Sequence, residues 1–217
     1  ILDSKKIRAT FFITANFAQK HPELVERMDK SSHEIASHGF YHSGFEVGDL
    51  KKSRELLEKI SGQKVVGFRM PRLAKTDAEE LTAAGYEYDS SLNPTYLPGR
   101  YNNLNLPQTP YKEKCGLLRM PSSTVPYCRF PLFWLSFKNM PVWLFAALAK
   151  MCLKRQGCFN FYTHPWEYNS EALSSEWKLP GYLKRHAGES QTDRLGKLID
   201  ALAPHGEFMT LREYAQK

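Results

Sequence analysis

Cysteine is scarce. Cys115, Cys128, Cys152 and Cys158 are the four in 217 residues, and no two of them form a CxxC pair. That excludes a disulfide-built scaffold and leaves a cysteine zinc site without support. The four are expected as free, buried thiols in a reducing compartment, which makes a cytoplasmic location the expectation. No Asn-x-Ser/Thr sequon is present once Asn93-Pro94-Thr95 is set aside for its proline. No apolar run reaches the length of about eighteen residues that spans a bilayer. The nearest approach, Phe130 to Ala149, is interrupted by Pro131, Lys138 and Pro141. Internal repeats and low-complexity segments are absent as well.

What is present is globular. Hydrophobic residues make up 42% and charged residues 24%, which excludes a disordered chain. The length suits one α/β domain, residues 1–217. A formal charge of +7 favours acidic partners or membrane surfaces without choosing between them. The basic residues are scattered and no recognition motif accompanies them, so no nucleic-acid partner is expected.

The chain reads as alternating elements. Residues 1–7 resemble the last turns of an amphipathic helix, and residues 8–14 a short buried strand. A domain seldom opens on the tail of a helix, so residues ahead of Ile1, including a strand, are expected. Helices are predicted over 17–29 with Pro22 at a break, over 46–60 ending at Gly62, over 77–84 capped by Thr76, from Pro141 to about Lys154, and over 192–202. Strands are predicted over 34–37, 65–68, 86–90, 117–120, 159–163 and 208–211. The three prolines between Asn93 and Thr109, Pro94, Pro98 and Pro107, predict a long surface loop. This alternation predicts a parallel sheet, open or closed into a barrel.

Polar groups fall at or just past the ends of four predicted strands: His38, Arg69, Asp89 and His164. In parallel α/β folds that edge is where chemistry is built. His38 and His42 are four apart, and on a helical turn they would project from one face as two ligands of zinc or a similar divalent ion. A third protein ligand would be needed, with a carboxylate the expected one, and the sequence offers no obvious candidate near His38. His164 suits a general acid for a leaving amine, with Asp89 orienting the imidazole.

Taken in order, Arg8–Thr14, His33–His42, Phe68–Pro71, Tyr86–Leu92 and Phe161–Glu167 resemble the motifs of the polysaccharide deacetylases, the NodB-homology group of carbohydrate esterases. The branch they resemble ends in His-Pro-Trp-Glu. The resemblance implies a distorted (β/α)7-type barrel related to the TIM barrel, a divalent metal that is usually zinc, and a carbohydrate substrate. It makes His38 and His42 metal ligands and His164 the general acid. Arg69 resembles the arginine that pairs with the family's catalytic aspartate, and Asp89 the carboxylate that supports the acid histidine. Trp166 is placed to stack on a sugar ring. The motif carrying the metal-binding and base aspartates would lie ahead of Ile1. The family usually has an uncharged residue where Arg72 stands, so this cation should reshape the substrate pocket.

The expected function is metal-dependent removal of N-acetyl groups from amino sugars of a bacterial polysaccharide or its precursor. The alternatives are an amidohydrolase of the same fold acting on a small amide, and a carbohydrate-binding relative without chemistry. Residues 130–155 combine Trp134, Phe137, Trp143, Leu144 and Phe145 with Lys150, Lys154 and Arg155. They read as a helix packed in the core with a basic last turn, or as an interfacial helix making peripheral membrane contact.

Overall fold

The computed structural model describes residues 1–171 and 178–217. The chain forms two compact units: residues 2–92, 110–121 and 208–217 in one, and residue 1, 93–109 and 122–207 in the other.

The first unit holds a six-stranded sheet, β1 (Thr10–Ile13), β2 (Glu34–Ser37), β3 (Gly67–Phe68), β4 (Tyr88–Asp89), β8 (Leu118–Arg119) and β7 (Tyr111–Lys112), hydrogen-bonded in that order. The first five run parallel and β7 is antiparallel to β8. Helices α1 (Ala15–Lys20), α2 (Pro22–Lys30), α3 (Gly48–Ser61) and α4 (Ala78–Ala83) connect them. Thr14 Oγ1 caps α1 by accepting from Phe17 N, Pro22 opens α2, and Gly62 ends α3 in the left-handed region at φ 72°.

Val25, Ile35, Leu50, Leu57, Phe68 and Leu81 fill the space between sheet and helices. Each such side chain contributes roughly 1.5–3 kcal/mol of burial. Gly67 is needed for contact. A Cβ there would lie 2.1 Å from the Tyr88 ring, so no side chain fits. On the other side of the sheet, Glu34 accepts from Thr10 Oγ1, Tyr88 OH and Arg212 N. This ties down α9 (Leu211–Ala215).

The second unit is mainly helical: α5 (Trp134–Asn139), α6 (Val142–Gln156), α7 (Gly181–Lys184) and α8 (Glu189–Leu202), with a hairpin of β5 (Tyr96–Leu97) and β6 (Tyr101–Asn102). Phe145, Ala146, Ala149 and Cys152 form the buried face of α6. Phe137, Phe145, Phe159 and Phe161 form one ring cluster, with centroids 5.0–6.2 Å apart. Trp143 faces out of α6 with 73% of its surface exposed. No described helix is long and apolar enough to cross a membrane.

Several expectations are corrected. Asp77, not Thr76, caps α4 through Oδ1 to the N–H groups of Glu79 and Glu80, while Thr76 Oγ1 accepts from Arg119. Residues 159–163 join no ladder, and Asn160 instead exchanges hydrogen bonds with Ser123. Thr210 opens a helix rather than a strand, because Oγ1 accepts from Glu213 N and Glu213 reaches back to Thr210 N. Residues 3–5 form a single 3-10 turn, ended by Lys6 in the left-handed region. The loop over 93–109 contains the β5–β6 hairpin. The cysteines are thiols, but only Cys152 is buried and Cys128 is exposed.

Candidate active-site residues

In the sheet unit the parallel ladder continues one residue past each strand. His38 N donates to Ile13 O, Arg69 N to Ser37 O, Ser90 N to Phe68 O and Met120 N to Asp89 O, all at 2.8–2.9 Å. This brings His38, Arg69 and Asp89 to one edge, as the sequence predicts.

His38 and His42 come together, with ring centroids 5.5 Å apart, but on a loop and not a helical turn. Gly39 takes φ 79° directly after His38. The carbonyls of Gly39 and Phe40 accept from Ala15 N and Asn16 N, so the first turn of α1 uses the loop's acceptors. His38 Nδ1 lies 2.7 Å from the Arg69 carbonyl oxygen. A carbonyl only accepts, so Nδ1 carries a proton and donates it there.

Arg69 is buried. Its guanidinium donates to Ser90 O and Ser90 Oγ at 2.9 and 2.7 Å and lies 4.3 Å above the Phe12 ring. Arg72 is exposed and sits at φ 60°, followed by Leu73 at φ 53°. Two adjacent side-chain-bearing residues in the left-handed region store of order 1–3 kcal/mol each, a feature concentrated at functional sites.

Asp89 is fully buried and serves the sheet edge. Its Oδ2 pairs with Arg119 Nη1 at 2.6 Å, and its Oδ1 accepts from Ser91 Oγ. Ser91 Oγ in turn accepts from Met70 N. Burial pushes the Asp89 carboxyl up, against the pull of Arg119. Sequence reading missed Arg119, whose partner is thirty residues away.

In the helical unit His164 opens a 3-10 turn over Pro165–Tyr168. The carboxylate on its Nδ1 is that of Glu167, at 3.0 Å. Oε1 of Glu167 also accepts from His164 N at 2.7 Å and Thr163 Oγ1 at 2.9 Å, and Oε2 from Gln191 Nε2 at 3.2 Å. Glu167 is therefore the fourth letter of the motif and the group that orients His164. The carboxylate hydrogen-bonded to His164 is thus Glu167, while Asp89 pairs with Arg119 and Ser91. The His164 ring stacks on Trp166 at 5.3 Å and 17°, and Trp134 meets both rings edge-on at 5.2 Å. Trp166 thus packs directly against the imidazole.

Two imidazoles suit a divalent ion such as zinc, and the carbonyl on His38 Nδ1 is the support that metal-ligating histidines commonly have. Among the described residues no group of three or more His, Cys, Asp or Glu gathers. The fit is that of two ligands from a larger set.

Known proteins bear on this geometry. Residues 1–89 match the family model for polysaccharide deacetylase. The match covers the segment from the first strand through His38, His42, Arg69 and Asp89, and His164 lies beyond it. Over 61 residues the chain is 26% identical to peptidoglycan-N-acetylmuramic acid deacetylase PdaA of Bacillus subtilis (strain 168), which is 28% of this chain and 23% of that protein. The chain spans about a quarter of the length of the curated relatives it matches.

Among solved structures, the probable polysaccharide deacetylase of Pseudomonas aeruginosa PAO1 superposes with TM-score 0.65 at 16% identity, over 99% of this chain and 69% of that one. The Puue allantoinase gives TM-score 0.63 at 14% identity, over 99% and 68%. At these identities the likeness is one of fold. The chain has the mixed α/β fold of NodB-like deacetylases, with a mainly parallel sheet that is open among the described residues.

Proposed function

We propose that this protein is a metal-dependent hydrolase of a bacterial glycan that removes N-acetyl groups from amino sugars, with residues 1–217 as one deacetylase-like domain. One observation carries the reading. Both His38 and His164 are held through Nδ1, by a carbonyl and by a buried carboxylate respectively, the kind of support that orients ligating and acid–base histidines.

His38 and His42 would hold the divalent ion through ring nitrogens, as two members of a larger ligand set. When bound, such an ion polarises the amide carbonyl and lowers the pKa of a water molecule. Arg69 positions His38, because its guanidinium is fixed by Ser90 and Phe12 while its carbonyl holds Nδ1. His164 hands a proton from Nε2 to the sugar nitrogen as the C–N bond breaks, giving acetate and a free amine. Glu167 keeps the opposite nitrogen protonated and stabilises the imidazolium beforehand. Trp166 and the exposed Arg72 are the proposed sugar contacts.

Peripheral contact of residues 130–155 with an anionic membrane is part of the proposal. It is supported by Trp143 exposed on α6, with Lys154 and Arg155 exposed at that helix's last turn.

The test is acetate release from an N-acetylated amino-sugar oligosaccharide by the intact protein, with zinc measured in parallel. Acetate release, together with stoichiometric zinc that His38→Ala loses, supports the reading. Equal metal in both proteins, or no acetate, overturns it.

A further inference from the structure

One loop of the helical unit is built against local preference. Thr124 and Pro131 bridge its base, and Val125 N donates to Phe130 O at 2.8 Å. Between them Tyr127 takes φ 70° and Arg129 φ 56°. For a bulky side chain the left-handed region is an outlier that the surrounding structure must impose. What the strain produces is exposure. Tyr127 is 82% exposed, and Cys128 and Phe130 beside it are exposed as well. Glycine or asparagine would meet the backbone need without placing an aromatic ring in water.

The loop is fastened on two sides. Arg129 Nη1 donates to Pro94 O at 3.2 Å and Leu106 O at 2.9 Å, and Arg129 O accepts from Thr95 Oγ1 at 2.7 Å. At the base, Thr124 O accepts from Cys152 Sγ and Gln156 Nε2 in the last turns of α6. Those turns carry the exposed Lys154 and Arg155. A fixed loop therefore holds Tyr127 and Phe130 out beside the basic end of a helix.

Charge selects the partner. Residues 93–109 and 122–166 contain no Asp or Glu. Arg100, between β5 and β6, is exposed, and so are Tyr96 and Leu104 in the segment that Arg129 clamps. Rings and aliphatic groups flanked by cations, without carboxylates, match the interface of an anionic bilayer. Amphipathic rings settle there at headgroup depth while cations meet the phosphates.

We propose that the loop over 125–130 is a membrane-anchoring loop, with Tyr127 and Phe130 entering the interface and Lys154 and Arg155 meeting anionic headgroups. This goes beyond the contact proposed for residues 130–155. Its leading ring lies ahead of that segment, and Trp143 is a separate contact in the first turn of α6. It does not depend on the chain being a hydrolase.

Cys128 supplies the reporter. In Cys115→Ser/Cys158→Ser it is the accessible thiol, because Cys152 is buried. The full chain, labelled there with nitrobenzoxadiazole, is mixed with excess vesicles of phosphatidylcholine alone or of phosphatidylcholine with phosphatidylglycerol. Emission should rise and shift to the blue with the anionic vesicles and stay unchanged with the neutral ones. In unlabelled protein, Tyr127→Ser should weaken binding to the anionic vesicles roughly tenfold, the scale for one aromatic ring partly withdrawn from water. Tyr127→Trp, which keeps an interfacial ring, should bind as the parent does.

An emission change that persists in Trp143→Ser at excess lipid upholds the loop independently of α6, even where binding is too weak to survive a flotation gradient. Vesicle-bound protein without an emission change, or Tyr127→Ser bound as tightly as the parent, overturns the proposal and leaves the contact at Trp143 standing. A parent that binds neither vesicle overturns both. An emission change with soluble polyuronate and none with vesicles makes the loop a glycan contact and overturns the membrane assignment.

Discussion

Glu167→Gln separates the two carboxylates that compete for the role of orienting His164. Glutamine can keep its Oε1 toward the three donors that Glu167 Oε1 now serves, His164 N, Thr163 Oγ1 and His164 Nδ1. Its amide nitrogen would face Gln191 Nε2. Gln191 Oε1, buried without a partner, can turn in to accept it. What is lost is the charge. Hydrogen bonds to charged groups contribute about 1.5–3 kcal/mol, against about 0.5–1.5 for neutral ones, so three bonds give a loss of about 3–4.5 kcal/mol. The variant should fold with a lowered melting temperature.

Its kcat should fall roughly 10²–10⁴-fold, because the imidazolium loses its countercharge. Asp89→Asn should behave in the opposite way. It weakens a buried pair with Arg119, where loss of a partner costs about 3–5 kcal/mol, yet kcat per folded molecule should change little. Acetate release normalised to folded protein, with thermal denaturation of both variants, reads this out. A larger kcat loss in Asp89→Asn than in Glu167→Gln, at matched folded fraction, would refute the assignment.

Gly67→Ala should destabilise by several kcal/mol or prevent folding, because its Cβ would overlap the Tyr88 ring; a denaturation midpoint within error of the parent would contradict that contact. Burial pushes the Tyr86 hydroxyl from its ordinary 10 up to about 12. The unfolded tyrosine ionises first, so stability should be lost as pH rises from 10 to 12, by about 2.7 kcal/mol at 1.36 kcal/mol per unit. Tyr86→Phe should flatten that part of the pH–stability curve, and an unchanged slope argues against it. Trp143→Ser should abolish co-flotation with anionic liposomes without loss of folding; protein that stays at the bottom of the gradient in either form returns residues 130–155 to an ordinary packed helix.

The regular parts of the fold were legible because they are encoded locally. The strand over 34–37 follows from the short apolar pair Ile35-Ala36, and the end of α3 from a left-handed stop at Gly62. The strand predicted over 159–163 was not, since its residues have strand-like types but spend backbone groups on Ser123. At the site, the edge position of His38, Arg69 and Asp89 was readable from strand ends. The helical turn assumed for His38 and His42 was not, because α1 takes up the loop's carbonyls.

Glu167 was within the quoted motif, three residues from His164, and its capping reach back to His164 N was the available signal. Arg119 had none, because it depends on a contact between distant strands.

The most direct test of the account measures acetate release and metal content together on the intact protein and on His164→Ala. The account expects acetate from an N-acetylated amino-sugar oligosaccharide, a kcat lowered roughly 10²–10⁴-fold in the variant, and the same zinc stoichiometry in both. Zinc lost along with His164 would make that residue a ligand instead of an acid, and absence of acetate from the unsubstituted protein would contradict the deacetylase reading itself.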